Sequence, residues 1–180
     1  MSLKTIINIV LYQGAWFASV LGAAYQQPWL GLEVAVIVLA LHFILAKDPL
    51  PEAKLVAIVM LIGFTFDQML LSLDLIDYQA HGWSKAFVPA WILALWLTFA
   101  TLLNVSLRWM RAKLSLAALF GFIGGPLAYH AAQSMGAITI NLNTAYWLLA
   151  IGWAIVMPAF LVLAKRFDGF HLSIHKTITS

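Results

Sequence analysis

Asp67, His130 and Glu33 are the residues whose types could do chemistry here, because each is ionisable and set in an otherwise apolar stretch. An ionisable side chain inside a membrane span is costly, and is a functional candidate for that reason. At about 1.5 Å of rise per residue, Asp67 falls about two turns below the outer end of its stretch, and Glu33 and His130 about one turn below theirs. Asp74 and Asp77 follow near the outer mouth, and the seven-residue spacing predicts that Asp67 and Asp74 share a helix face. Gln68 adjoins Asp67, Gln133 lies a turn outward of His130, and Gln13 sits near the middle of the first stretch. Two carboxylates and an imidazole at one depth can carry protons, bind a cation or act as general acid and base. They can equally form a satisfied polar network that fixes helix register, and Glu33 can simply reach the interface.

Other polar residues point elsewhere. His42 is nine residues from Glu33, on the opposite face and in the inner half, and reads as a packing or interfacial histidine. Asn104 reads as a hydrogen bonder between helices. His171 and His175 have the i, i+4 spacing of a metal pair, but two histidines beside Gly169 make a poor site, and the segment reads as an amphipathic or disordered tail. No cysteine is present, which excludes disulfides, thiolate metal sites and cysteine nucleophiles. Metallopeptidase, nucleophile-elbow and phosphate-loop motifs are missing, and every lysine lies outside the apolar stretches or at their edges. No metal or cofactor is expected.

The elements that must hold these residues are membrane spans. Of 180 residues, 63% are hydrophobic and 9% charged, against about 25% charged in soluble domains. Six apolar stretches, 5–24, 29–46, 54–73, 88–107, 114–133 and 145–164, each approach the roughly 20 residues that cross a bilayer. Between them lie Gln26-Gln27-Pro28, Asp48-Pro49-Leu50-Pro51, the polar stretch 78–84, the basic stretch 108–113 and the polar stretch 138–144. Pro49 and Pro51 predict an extended turn. The net charge of +3 does not point to nucleic acid, because the basic residues sit between spans, where orientation signals belong. Lys4, Lys47, Lys54, Arg108, Arg111, Lys113, Lys165, Arg166 and Lys176 fall on one side, and Lys85 alone on the other. This predicts an all-α bundle of six transmembrane helices with both termini cytoplasmic, a single domain over 1–164 and a cytoplasmic tail over 165–180. The first span reads as uncleaved, since Asn8, Gln13 and Trp16 interrupt it. Trp29, Trp83, Trp91 and Trp147 near the outer ends predict an interfacial aromatic belt.

Small residues predict how the helices meet. Ala15, Ser19 and Gly22 form one stripe on the first span, and Gly121 and Gly125 let another backbone approach the fifth. Pro126 and Pro158 each remove a backbone hydrogen bond and predict kinks.

Asn8, Tyr12, Gln13, Trp16 and Phe17 in the first span, with the run from Gly124 to Tyr129 (Gly-Gly-Pro-Leu-Ala-Tyr) in the fifth, resemble a bacterial inner-membrane family, domain of unknown function 2878. The resemblance covers nearly the whole chain and implies a small polytopic protein. Its members' genes tend to lie near those of fatty-acid-modifying methyltransferases, a hint of lipid chemistry. The resemblance adds Asn8, Trp16, Pro126 and Tyr129 to Gln13 as candidate binding positions; structurally, Asn8 and Gln13 can bond neighbouring helices and Trp16 can fill the core. The leading expectation is a cavity, open to the outer half of the membrane, that binds or processes a lipid or small amphiphile. The alternatives are a proton- or cation-coupled transporter using Asp67 and His130, and an accessory subunit whose polar residues meet a partner. Membrane lipids, a second copy or a partner membrane protein are the expected associates.

Overall fold

The computed structural model describes residues 2–171. The chain is all-helical in its main elements: α1 Leu3–Ala24, α2 Leu30–Leu45, α3 Pro49–Ser72, α4 Ala90–Leu103, α5 Leu114–Ser134 and α6 Thr144–Arg166. A 3-10 turn, Arg108–Ala112, joins α4 to α5, and two short strands, β1 Ile76–Tyr78 and β2 Ile138–Ile140, lie in the loops after α3 and α5. Four helices, α1, α3, α5 and α6, are long and apolar enough to cross a membrane, whereas α2 and α4 are shorter. The 14 residues of α4 span only about 21 Å. It can be short because it is the bundle's axis: α1, α2, α3 and α6 all pack on it.

Local chemistry sets the boundaries. Ser2 caps α1 by accepting from the Thr5 backbone N–H, and Asp48 caps α3 by accepting from that of Leu50. Pro49 and Pro51 do not break the chain there; they fall in the first turn of α3, where a missing N–H costs nothing. The helix therefore begins five residues before the apolar stretch does and carries Glu52 in its first turn. Pro126 and Pro158 sit inside continuous α5 and α6.

Both strands grow out of helix ends. After α3, Asp74 adopts φ 53° and the Leu75 N–H reaches back to the Leu70 carbonyl. After α5, Gly136 adopts φ 83° and the Ala137 N–H reaches back to the Ala132 carbonyl. These matching left-handed caps turn each chain into a three-residue strand, and the strands pair antiparallel with Tyr78 opposite Ile138. Ile76 and Tyr78 point inward and Asp77 outward, by the period of two. Because α3 has ended at Ser72, Asp74 does not share a helix face with Asp67; it forms the turn instead.

The bundle has a ribbon end, where β1 and β2 lie, and a basic end. Eight of the nine predicted same-side basic residues are described, at the α1 start, the α2–α3 turn, the start of α3, the α4–α5 turn and the α6 end. Lys176 and His175, with the rest of 172–180, lie outside the described residues. Small residues mediate packing where expected: Ser19 of α1 lies against Gly31 of α2, and a Cβ on Gly121 or Gly125 of α5 would overlap Trp153 of α6. Of the four expected belt tryptophans, Trp29, Trp83 and Trp147 are exposed, but Trp91 is buried and donates its indole N–H to the Gln79 carbonyl. It stands on the first turn of α4, the helix that every neighbour covers.

Candidate functional site

Asp67 is fully buried at the ribbon end of α3 and accepts three side-chain hydrogen bonds. Tyr78 and Tyr129 donate their hydroxyls to Oδ1 at 2.7 and 2.6 Å, and Trp96 donates its indole N–H to Oδ2 at 2.5 Å. Four elements converge on one carboxyl: α3, the β1 strand, α5 and α4. All three donors are neutral, and no cation pairs with Asp67 among the described residues. Burial pushes the Tyr78 phenol well above its ordinary pKa and its nearness to the Asp67 carboxyl adds to that, so Tyr78 keeps its proton for this bond.

Glycines place the rings. Gly63 is one turn before Asp67 on the same face of α3, and a Cβ there would sit 2.0 Å from the Trp96 ring. The indole can therefore lie along the α3 backbone and reach Asp67. Trp153 of α6 stacks on Trp96 at 5.0 Å and 12°, and the base of its ring lies against Gly125 of α5, where a Cβ would meet it at 2.4 Å. Gly63, two stacked indoles and Gly125 thus form one layered unit across the bundle.

Beside this unit is a cavity of about 70 Å³, room for several waters or a small polar head. Its walls come from Tyr12, Trp16 and Val20 of α1, from Trp96, Phe99 and their neighbours on α4, from Ala128, Tyr129 and Ala132 of α5, and from Trp153. Asp67 and Tyr78 close its polar side. The helices α1 and α5 flank the cavity, yet α1 packs on α2 and α4 while α5 packs on α6. No packed interface among the described residues joins α1 to α5.

A family model matches residues 5–159, a span that takes in both sequence motifs and every wall of this cavity. The chain belongs to the family of proteins of unknown function DUF2878. No curated protein and no solved structure matches it.

The DUF2878 chain brings some of the predicted residues together and leaves others apart. Asp67, Trp16 and Tyr129 line the cavity. His130, next to Tyr129 in sequence, is exposed and bonds the Tyr146 hydroxyl at 3.0 Å. Glu33 is exposed on α2, outside the cavity. Gln68 fastens the loop ahead of α4, accepting from the Val88 N–H and donating to the Ala86 carbonyl, and Gln133 accepts from the Ile140 N–H of β2. Asn8 lies near the basic end, donating to the Thr101 carbonyl and accepting from the Ser106 hydroxyl. Gln13 is exposed on α1, with no side-chain hydrogen bond among the described residues.

Sequence reasoning missed Trp96, one of several tryptophans in an apolar span, as well as Tyr78 and Glu52. Tyr78 lay in a stretch read as a connection, although Ile-Asp-Tyr and Ile-Thr-Ile at the two loops carry the strand alternation. Glu52 lay among prolines and was passed over. It is fully buried at the basic end, where His42 Nε2 meets its Oε2 at 2.9 Å and Asn104 and the Gly169 N–H donate to Oε1. Asn104 also donates to the Phe167 carbonyl and accepts from Arg111. Arg111 and Arg108 both hold Asp168. This second cluster ties the end of α6 to the turns on either side of it. Asn104 therefore does bond between helices, and His42 is buried in the half of α2 predicted for it.

Proposed function

We propose that the protein spans the inner membrane of a bacterium with six helices, basic end in the cytoplasm, and binds a small amphiphile in the Asp67 cavity. The short α2 and α4 complete the six spans, with α4 shielded from lipid by its neighbours. The basic residues at the α1 start, the two turns and the α6 end support this orientation. The ribbon end, with Asp67, then lies in the outer half of the bilayer.

The observation that carries the binding reading is the buried Asp67 with three neutral donors, set in the wall of an aromatic cavity whose flanking helices α1 and α5 do not pack together. A membrane amphiphile can bring its small polar head in between those helices, pass it along the rings of Trp16, Tyr12 and Phe99 and present it to Tyr129, while its apolar part stays outside in the hydrocarbon. Pockets of this kind are mostly apolar with a few placed polar groups. The test is native mass spectrometry with lipidomics on protein extracted in mild detergent. One amphiphile enriched over bulk lipid, and depleted in Asp67→Asn and Tyr129→Phe, is the expected result. A wild type carrying only bulk lipid, or full retention by Asp67→Asn, sinks the reading. A coupled transporter using Asp67 and His130 gains no support, because His130 faces out beside Tyr146.

One observation favours a second reading, a subunit of a larger assembly. Gln13 exposes an amide at mid-α1, beside Gly14, which has nothing within 4 Å of a built Cβ. Another helix could approach there and satisfy the amide. The chain has no cysteine, so a Gln13→Cys variant reports the contact directly. Oxidative cross-linking in native membranes to a second copy or another protein supports an assembly, and a monomeric variant removes it.

A further inference from the structure

At the basic end, a larger cavity of about 380 Å³ opens between the start of α1, the end of α2 and the end of α4. Its charged lining is wholly positive: Lys4, Lys47 and Arg108, with His42 behind them. No carboxylate lines it. The acids nearby are already engaged. Glu52 is bonded by His42, Asn104 and Gly169, Asp168 is held by Arg108 and Arg111, and Asp48 caps its own helix. Among the described residues Lys4 and Lys47 have no ion pair. Two uncompensated ammonium groups therefore stand at the mouth of a cavity in the size range of ligand pockets.

The remaining wall is neutral, polar at Ser2, Thr5, Asn8, Thr101 and Asn104 and otherwise apolar, and three of its apolar residues, Ile7, Leu41 and Leu45, are exposed. On a membrane protein such side chains meet lipid tails, so the cavity is continuous with the hydrocarbon as well as with the basic rim. An inorganic anion would use the rim and leave the wall bare. An amphiphile with an anionic head and an acyl chain uses both.

We infer that this cavity is a binding site for an anionic phospholipid, its phosphate held between Lys4 and Lys47 and an acyl chain lying on Ile7 and Leu41. The site is separate from the Asp67 cavity, shares no lining residue with it, and does not depend on what that cavity binds. Arg108 contributes less to the head, because Asp168 already holds it. The neutral side chains of Asn8 and Thr101 lie deeper and bond each other, so they shape the cavity without adding charge.

The experiment is lipid titration of the full-length protein in a neutral detergent, followed by native mass spectrometry, with phosphatidylglycerol, phosphatidylcholine and inorganic phosphate as probes. Phosphatidylglycerol should bind in one saturable step and phosphatidylcholine should not. The double variant Lys4→Gln/Lys47→Gln should weaken that step roughly 10- to 30-fold. Lys113→Gln/Lys165→Gln removes the same charge away from the cavity and should leave the step unchanged. Leu41→Trp, which fills the cavity and keeps every charge, should also abolish it. Equal loss in the two lysine pairs would show a diffuse basic surface and overturn the site. Displacement of the lipid by millimolar phosphate would overturn the lipid assignment in favour of a free anion. Undiminished binding to Leu41→Trp would place the lipid elsewhere.

Discussion

At the scale of the residue, Asp67 shows what an acid costs and does inside a membrane protein. Its shell consists of donors only, so the substitution that should hurt most is the one that removes every acceptor. Asp67→Leu leaves two tyrosine hydroxyls and an indole N–H unsatisfied, at about 1–3 kcal/mol for each buried group. We expect a loss of about 3 kcal/mol or more in detergent unfolding, with reduced abundance in the membrane. Asp67→Asn keeps one carbonyl oxygen and the shape, so it should fold and be abundant while ligand retention falls. Equal behaviour of the two variants would mean that the carboxyl's acceptors are not what holds the ribbon end together. Asp67 was legible in the sequence because an acid deep in an apolar run stands out. His130 and Glu33 stood out by the same rule and face outward, since depth is readable from one sequence and helix rotation about its axis is not. Tyr78 was illegible for a different reason: its role depends on a strand pairing 60 residues away in the chain, Tyr78 to Ile138.

At the scale of the element, glycine is the residue type that decides which helices touch. Within α5, Gly121 and Gly124 are three residues apart and have opposite fates. A Cβ on Gly121 would lie 2.1 Å from the Trp153 carbonyl, whereas one on Gly124 meets nothing within 4 Å. Gly121→Leu should therefore force α5 off α6 and destabilise the bundle by about 1–3 kcal/mol, the usual cost of overpacking. Gly124→Ala should be neutral or stabilising by up to about 1 kcal/mol through helix propensity. Thermal unfolding in detergent reads both, and matching effects would show that the α5 face has been assigned to the wrong neighbour. Gly63→Ala belongs with Gly121: it should lift Trp96 off α3, break its bond to Asp67 and alter the tryptophan fluorescence. The small-residue spacing on α1 and α5 was readable beforehand. Gly63 was not, because it has no second small residue four away on α3, where Val59 and Asp67 stand. The α3 start also escaped, since prolines end most helices but are welcome in a first turn.

At the scale of the whole molecule, the two ends are built differently. The ribbon end is held by the β1–β2 pairing and the Asp67 shell, and the basic end by the Glu52, Asn104 and Asp168 cluster. Alternation of basic loops was the signal for orientation, and it makes a direct prediction: reporters fused in the 79–89 loop should read periplasmic and those in the 108–113 turn cytoplasmic. A reversed pattern would overturn the orientation with both termini cytoplasmic. The cluster was not legible, because it joins residues from the α3 start, the α4 end and the segment beyond α6, each polar and each near a loop. Asn104 is its hub. It donates to Glu52 and to the Phe167 carbonyl, accepts from Arg111, and so couples a buried acid to the end of the last helix. Asn104→Ala should remove these bonds together and strip Glu52 of one donor in a fully buried site. With about 1–3 kcal/mol for each buried group left without its partner, the variant should unfold well below the wild type and expose the 167–171 segment to protease from the basic end. Asn104→Asp keeps the size and the oxygen that meets Arg111, but turns the group that donates to Glu52 and to the Phe167 carbonyl into a second acceptor, so it should not restore wild-type stability. If the alanine variant unfolds with the wild type, the Asn104 amide is a space filler and the end of α6 is held by Arg108, Arg111 and Asp168 alone.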